Sequence, residues 1–249
     1  MAKDADPDPI ELTPELEQPG KPIGRRAFLG FAALGVAGIA VAGPVADWIN
    51  RSPVGKEASE HGLADILPLG EAFRYYTITD GFPSRSKADY RLDVVGLVDT
   101  PMRLGFDDLL RRPPTHLTKD FQCVTGWRVH DVKWTGVQLG ALLDEAGVKP
   151  TARGVRFASF DGAYTESLTL DQARRPDVIV AYSLEGGDVS SMHGGPVRLY
   201  VAPMYGYKSI KWLETIEVVD QVEPGYWEQN GYDVDAWIGH SNGRSDKPV

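Results

Sequence analysis

Lys119–Trp134, KDFQCVTGWRVHDVKW, holds the only cysteine in a chain of 249 residues. With no second cysteine, Cys123 has no partner for an intramolecular disulfide. Its neighbours are unusual in kind. Gln122 and Thr125 bring amide and hydroxyl groups, Trp127 and Trp134 large apolar walls, and Arg128 and His130 cationic character. A thiol beside Arg or protonated His is drawn toward thiolate, the form that attacks electrophiles and binds soft metals. The plain alternative is a small buried hydrophobe.

Downstream of this stretch, GVRFASF, YTESLTL, VIVAYSL, PVRLYVAP and KWLETIEVVD alternate or run apolar over strand lengths. Upstream, FRYYTITDGF reads as a strand opening the folded part near Phe73. YRLDVVGLVDTPMRLGF reads as two short strands broken at Gly96 and at Thr100-Pro101. FDDLLRR is one or two helical turns stopped by Pro113-Pro114, and VQLGALLDEAGV (137–148) is the clearest amphipathic helix. Many short strands with one or two helices predict an α+β domain that is mostly β. A net charge of -9 argues against nucleic acid as a partner, and no GxGxxG or GxxxxGK[ST] signature points to a nucleotide.

The N-terminal quarter reads differently. Residues 1–23 are an acidic, Pro-rich tail that cannot bury enough apolar surface to order itself. Residues 24–50 carry Arg25-Arg26 before an uncharged apolar run from Ala27 to Ala46, and they look like a twin-arginine export signal. Ala40-Val41-Ala42 fits a cleavage site. An uncleaved anchor remains the alternative, because about 20 apolar residues span a bilayer. Residues 51–72 are a linker, residues 73–222 the folded domain, and residues 223–249 an irregular aromatic arm expected to fray after Asn242.

DFQCVTGW, followed about 70 residues later by HGGPVRLYVAPMYGYKSIKWLETIEV, resembles the molybdopterin-binding domain of the sulfite oxidase family. The likeness runs from Phe73 to Val222 and is nearest to the small bacterial members, such as the methionine sulfoxide reductase catalytic subunit. It implies a sulfite-oxidase-type fold, a Mo-molybdopterin cofactor and Cys123 as the thiolate on molybdenum. It also implies that His193, Arg198, Ser209, Ile210 and Lys211 contact the cofactor. Tyr75, Tyr76, Thr77 and Thr79 of YYTIT, with Ser159 and Asp161 of FASFDG, map onto the pterin less specifically. Taken without the resemblance, Arg198 reads as a strand residue, Lys211 as a solvated charge, His193 as a core histidine, and Tyr75 and Tyr76 as core aromatics.

The resemblance further implies oxygen-atom transfer on a small sulfur compound, with Trp127, Arg128 and His130 shaping the pocket. The family's sulfite-oxidising side has another Arg where this chain has Ile78. No CxxCH haem motif is present, so electrons pass to a separate partner such as a cytochrome or a membrane haem protein. Export of a folded, loaded enzyme by the twin-arginine machinery places it outside the cytoplasm, soluble or anchored. Two other classes fit parts of the same sequence: a cysteine hydrolase or peroxidase using His130 or His193 as base, and a non-catalytic membrane-tethered binding module.

Overall fold

The computed structural model describes residues 73–79 and 81–249. The acidic tail, the expected twin-arginine segment and the whole linker lie outside the described residues. Among those described, no helix is long and apolar enough to cross a membrane.

Among the described residues, ten strands form two five-stranded sheets. The first has the order β2-β1-β10-β5-β6, built from β1 (Arg91–Gly96), β2 (Met102–Gly105), β5 (Gly154–Ser159), β6 (Thr165–Thr169) and β10 (Leu213–Val219). Its β1 and β10 run parallel, with Asp93 opposite Thr215. The second has the order β3-β4-β7-β8, from β3 (Thr115–Gln122), β4 (Arg128–Gln138), β7 (Val178–Leu184) and β8 (Gly187–Asp188); β9 (Arg198–Val201) also pairs with β7.

The apolar run VIVAYSL explains this arrangement. β7 is buried on both faces, so Val178, Val180 and Tyr182 enter one core while Ile179 and Ala181 enter another. Such a run reads as continuous rather than alternating because neither face meets water. The first core includes Leu92, Val155, Phe157, Ile216 and Val218 of the other sheet. The second packs Phe121, Trp134 and Tyr200, with Cys123 at its edge.

Among the described residues three α-helices accompany the sheets: α1 (Phe106–Leu110), α2 (Leu139–Ala146) and α3 (Leu170–Ala173). In α2 the buried residues Leu139, Leu142, Leu143 and Ala146 recur at one-turn spacing, and each Leu contributes about 2 kcal/mol by leaving water. Gly147 ends it in the left-handed region at φ 71°. The helix is shorter than the sequence pattern, because Val137 and Gln138 belong to β4, where they pair with Val180 and Ile179.

Mostly β architecture agrees with the sequence reading, and so do the strands after Gly154 and the two split at Gly96. FRYYTIT departs from it. Residues 73–77 form no strand, because their rings pack sideways onto His193 and Phe121 instead of entering a ladder. The arm also differs at its end. Beyond Asn242, Arg244 pairs with Asp246, and Val249 packs on the first core.

One cluster clamps this arm to the domain. Lys208 Nζ donates to Glu166 Oε1 at 2.5 Å and to Glu228 Oε1 at 2.6 Å, and all three side chains are almost fully enclosed. Burial pushes the Glu166 carboxyl well above the ordinary carboxylate range against the pull of Lys208, with Glu228 adding to the rise. Lys208→Met leaves two buried carboxyls without their cation. The expected loss is about 3 kcal/mol, read as a lower denaturant midpoint with an unchanged slope.

Candidate active site

β3 and β4 form a hairpin, and Cys123 opens its turn. The turn is closed by Cys123 N donating to Trp127 O at 2.9 Å and Gly126 N donating to Cys123 O at 3.0 Å. Gly126 has φ 106°, which disfavours any side chain there. The Cys123 thiol is half-buried, and Thr125 Oγ1 donates to its Sγ at 3.2 Å. Burial pushes the thiol pKa up; the Thr125 hydroxyl and then Arg74 and Arg244 oppose the shift.

That result corrects the expected activation by Arg128 and His130. Arg128 donates to Gln122 Oε1 at 2.5 Å, Asp120 Oδ2 at 3.2 Å and the Lys247 carbonyl. His130 is half-exposed with its Nδ1 2.8 Å from the same Asp120 oxygen. Burial alone would raise the Asp120 carboxyl, but hydrogen bonds from Asp131 N and His130 and the Arg128 charge hold it below its usual range. Both side chains are therefore engaged by a carboxylate rather than by the thiol.

A second group gathers across the aromatic cluster. Arg198, on β9, is buried, and its guanidinium lies 5.5 Å from the Phe121 ring and 5.4 Å from the Trp134 ring. It donates only to carbonyls: His193 O at 2.6 Å, Ser209 O at 2.7 Å and Leu199 O at 3.3 Å. Burial draws its pKa down to about 10, so it stays cationic at neutral pH, and among the described residues no carboxylate pairs with it. Lys211 Nζ donates to Tyr76 O at 2.5 Å and sits 4.2 Å from the Trp212 ring. Burial and then Arg198 lower its pKa to about 7, with Asp161 opposing.

His193 stands between them. Its Nε2 is 3.2 Å from the Tyr75 hydroxyl and its Nδ1 2.9 Å from Ser190 Oγ. Burial, Arg198 and Lys211 together lower its pKa to about 4, so the ring is neutral. Gly194 allows this approach, since a Cβ there would lie 2.5 Å from Lys211 Cβ. The structure thus brings Tyr75, His193, Arg198, Ser209 and Lys211 together. Ser209 is buried and uses its hydroxyl to accept from Val201 N at 3.0 Å. Ile210 is buried with its carbonyl on Leu199 N.

The remaining candidates sit less centrally. Tyr76 is exposed, and Thr77 and Thr79 bond each other, with Thr77 Oγ1 donating to Thr79 O at 2.8 Å. Ser159 donates to Asp161 Oδ1, which also accepts from Ala163 N and Tyr164 N. Sequence reading overlooked Phe73, whose ring lies 4.9 Å from His193 and 5.4 Å from Phe121 and so joins the cation group to the cysteine hairpin. It also overlooked Arg74 and Arg244. No motif marks these three, because they reach the site from the two ends of the folded part.

The donor set suits an anionic cofactor that carries its own metal ligands. Among the described residues no group of three or more His, Cys, Asp or Glu side chains could hold a metal; a cofactor that brings its own metal donors needs at most one soft side chain from the protein. Trp127 Nε1, Trp134 Nε1 and Asp161 Oδ2 are buried without a partner among the described residues, and a bound ligand or ordered water would satisfy them. A lone soft sulfur and a buried guanidinium whose partners are carbonyls suit a cofactor-dependent oxidoreductase. Residues 80–227 match the oxidoreductase molybdopterin binding domain, and the chain belongs to that family, with Mo-molybdopterin as its cofactor.

Its relatives agree with this assignment. The chain is 37% identical over 150 residues to the oxidoreductase YuiH of Bacillus subtilis (strain 168), covering 59% of this chain and 75% of that one. It is 28% identical over 238 residues to the protein-methionine-sulfoxide reductase catalytic subunit MsrP of Ralstonia nicotianae, covering 82% and 71%. Sulfite oxidase of Arabidopsis thaliana is 29% identical over 57% of this chain and 45% of its own length. Among solved structures, the sulfane dehydrogenase SoxCD from Paracoccus pantotrophus superposes with a TM-score of 0.53 at 30% identity, over 57% of this chain and 41% of that one.

Proposed function

We propose that this enzyme transfers an oxygen atom to or from a small sulfur compound at a molybdenum held by Cys123. The observation that carries it is the placement of the lone thiol and the buried, carboxylate-free Arg198 on one aromatic cluster. When bound, the cofactor supplies the two-electron oxygen exchange. In the reductive direction a sulfoxide takes up two protons and two electrons and gives a thioether and water. In the oxidative direction sulfite and water give sulfate, two protons and two electrons.

The chain's own side chains have separate tasks. Arg198 offers a fixed fork to an anionic group and Lys211 a point charge. His193, neutral, can accept or donate at Nε2 beside Tyr75. Ser209 and Ile210 hold the backbone on which Arg198 rests. Phe121, Trp127 and Trp134 shield the cysteine side from water. A hydrolase or peroxidase needs a base beside the thiol, and the bond recorded at Sγ comes from Thr125, with His130 on Asp120.

Electrons then pass to or from a separate haem partner, and Arg25-Arg26 direct export of the loaded enzyme. Cell fractionation with a molybdenum measurement on each fraction tests both proposals. About one molybdenum per chain is expected in the extracytoplasmic fraction, with turnover of dimethyl sulfoxide or sulfite. Replacing Arg25 and Arg26 by Lys should leave loaded enzyme in the cytoplasm. Molybdenum-free protein from a molybdenum-replete host would overturn the reading.

A further inference from the structure

A cavity of about 410 Å³ opens beside the cysteine turn, lined by Val124 with residues 231–233 and 242–244. All of this lining except Val124 lies beyond residue 227, where the match to the family ends. The wall facing Val124 therefore belongs to the arm, not to the shared domain. Arg244 reaches over the turn: a Cβ on Gly126 would lie 3.0 Å from its Nη2.

The charges on this wall are paired. Arg244 Nε donates to Asp246 Oδ2 at 2.5 Å and Nη2 to Oδ1 at 3.0 Å, a two-pronged fork. Tyr205 OH donates to Asp246 Oδ2 at 2.8 Å and accepts from Gly239 N at 3.1 Å. The carboxylate is thereby fixed from a buried residue of the domain. Asp233 adds a second negative charge, its Oδ2 accepting from Asn242 N. Arg74 is the other cation whose charge bears on the thiol. Arg74 and Arg244 against Asp233 and Asp246 leave this mouth with no net positive charge, and Arg128 is held by Asp120.

We propose that Asp246 is a specificity-determining positioning residue: by neutralising Arg244 it makes the cavity favour a neutral sulfur–oxygen dipole over a sulfur oxyanion. This rests on the oxygen-transfer reading of the site and names its substrate class. The low carboxyl pKa of Asp246, set first by Arg244, keeps the pair ionised through the neutral range.

The experiment measures sulfate binding to the holoenzyme by calorimetry, alongside KM and kcat for dimethyl sulfoxide and sulfite. Asp246→Asn keeps a hydrogen-bonding side chain but removes the negative charge. Sulfate affinity should then rise about tenfold, as expected for one charge at a partly exposed site, and KM for sulfite should fall. Arg244→Gln/Asp246→Asn should return sulfate affinity to the parent value, which separates the guanidinium from a loosened arm. Unchanged sulfate affinity in a folded Asp246→Asn protein overturns the proposal, as does a gain that survives in the double variant. A parent enzyme that turns over neither probe would instead overturn the oxygen-transfer reading, with the sulfate shift still measurable.

Discussion

Cys123→Ser enzyme is expected to lose turnover by about 100-fold or more while keeping its fold. Loss of an outer ligand partner already costs about 10- to 100-fold at metal sites, and here the proposed metal donor itself is replaced. Serine presents a hard oxygen where molybdenum, with sulfur donors already around it, prefers thiolate. The fold should tolerate the change, since Thr125 can donate to a Ser oxygen as it does to Sγ and the residue is half-buried in a turn. Stability should shift by less than about 1 kcal/mol. Turnover, molybdenum per chain and a denaturant curve on the same preparation check it. Parental activity in the Ser variant would remove Cys123 as the ligand.

Arg198→Met should empty the site rather than slow it. The guanidinium is a buried cation whose partners are three carbonyls, so an anion is the group its charge lacks. A charged hydrogen bond of about 1.5–3 kcal/mol corresponds to a roughly tenfold or greater fall in cofactor occupancy. The carbonyls of His193 and Ser209 also lose a donor, adding about 1–3 kcal/mol of destabilisation. Lys211→Met should act in the same direction but less, because Lys211 holds a carbonyl at the rim and its pKa already lies near 7. Activity per bound molybdenum should stay near the parent value in both. Full occupancy in both variants would make them structural residues.

Much of the β framework was legible because period-two and continuous apolar runs report burial directly. VIVAYSL read as a strand because it runs apolar over a strand's length, and it is continuous because both faces are buried. The β3 and β4 hairpin was not assigned from sequence, although KDFQCVTGWRVHDVKW was singled out. Its inner face enters the second core through Phe121, Val132 and Trp134, but the polar and charged residues Lys119, Asp120, Gln122, Arg128, His130 and Asp131 surround the turn, so hydrophobic periodicity is faint there. FRYYTIT misled in the opposite sense: a β-like composition packs as an irregular segment because its rings find His193 and Phe121.

Sequence by itself determined the chemistry available: one soft ligand, the GPVR and SIKW segments that bring two cations, and a mostly β scaffold. Those follow from residue type and spacing along the chain. Which charges act at the thiol was decided only by tertiary structure. Arg128 and His130 are near Cys123 in sequence, yet Asp120 across the hairpin captures both. Arg74 and Arg244 are distant in sequence, yet theirs are the cationic charges that bear on it. Coulomb energy depends on separation in space and on burial, and neither can be read from a distance counted in residues.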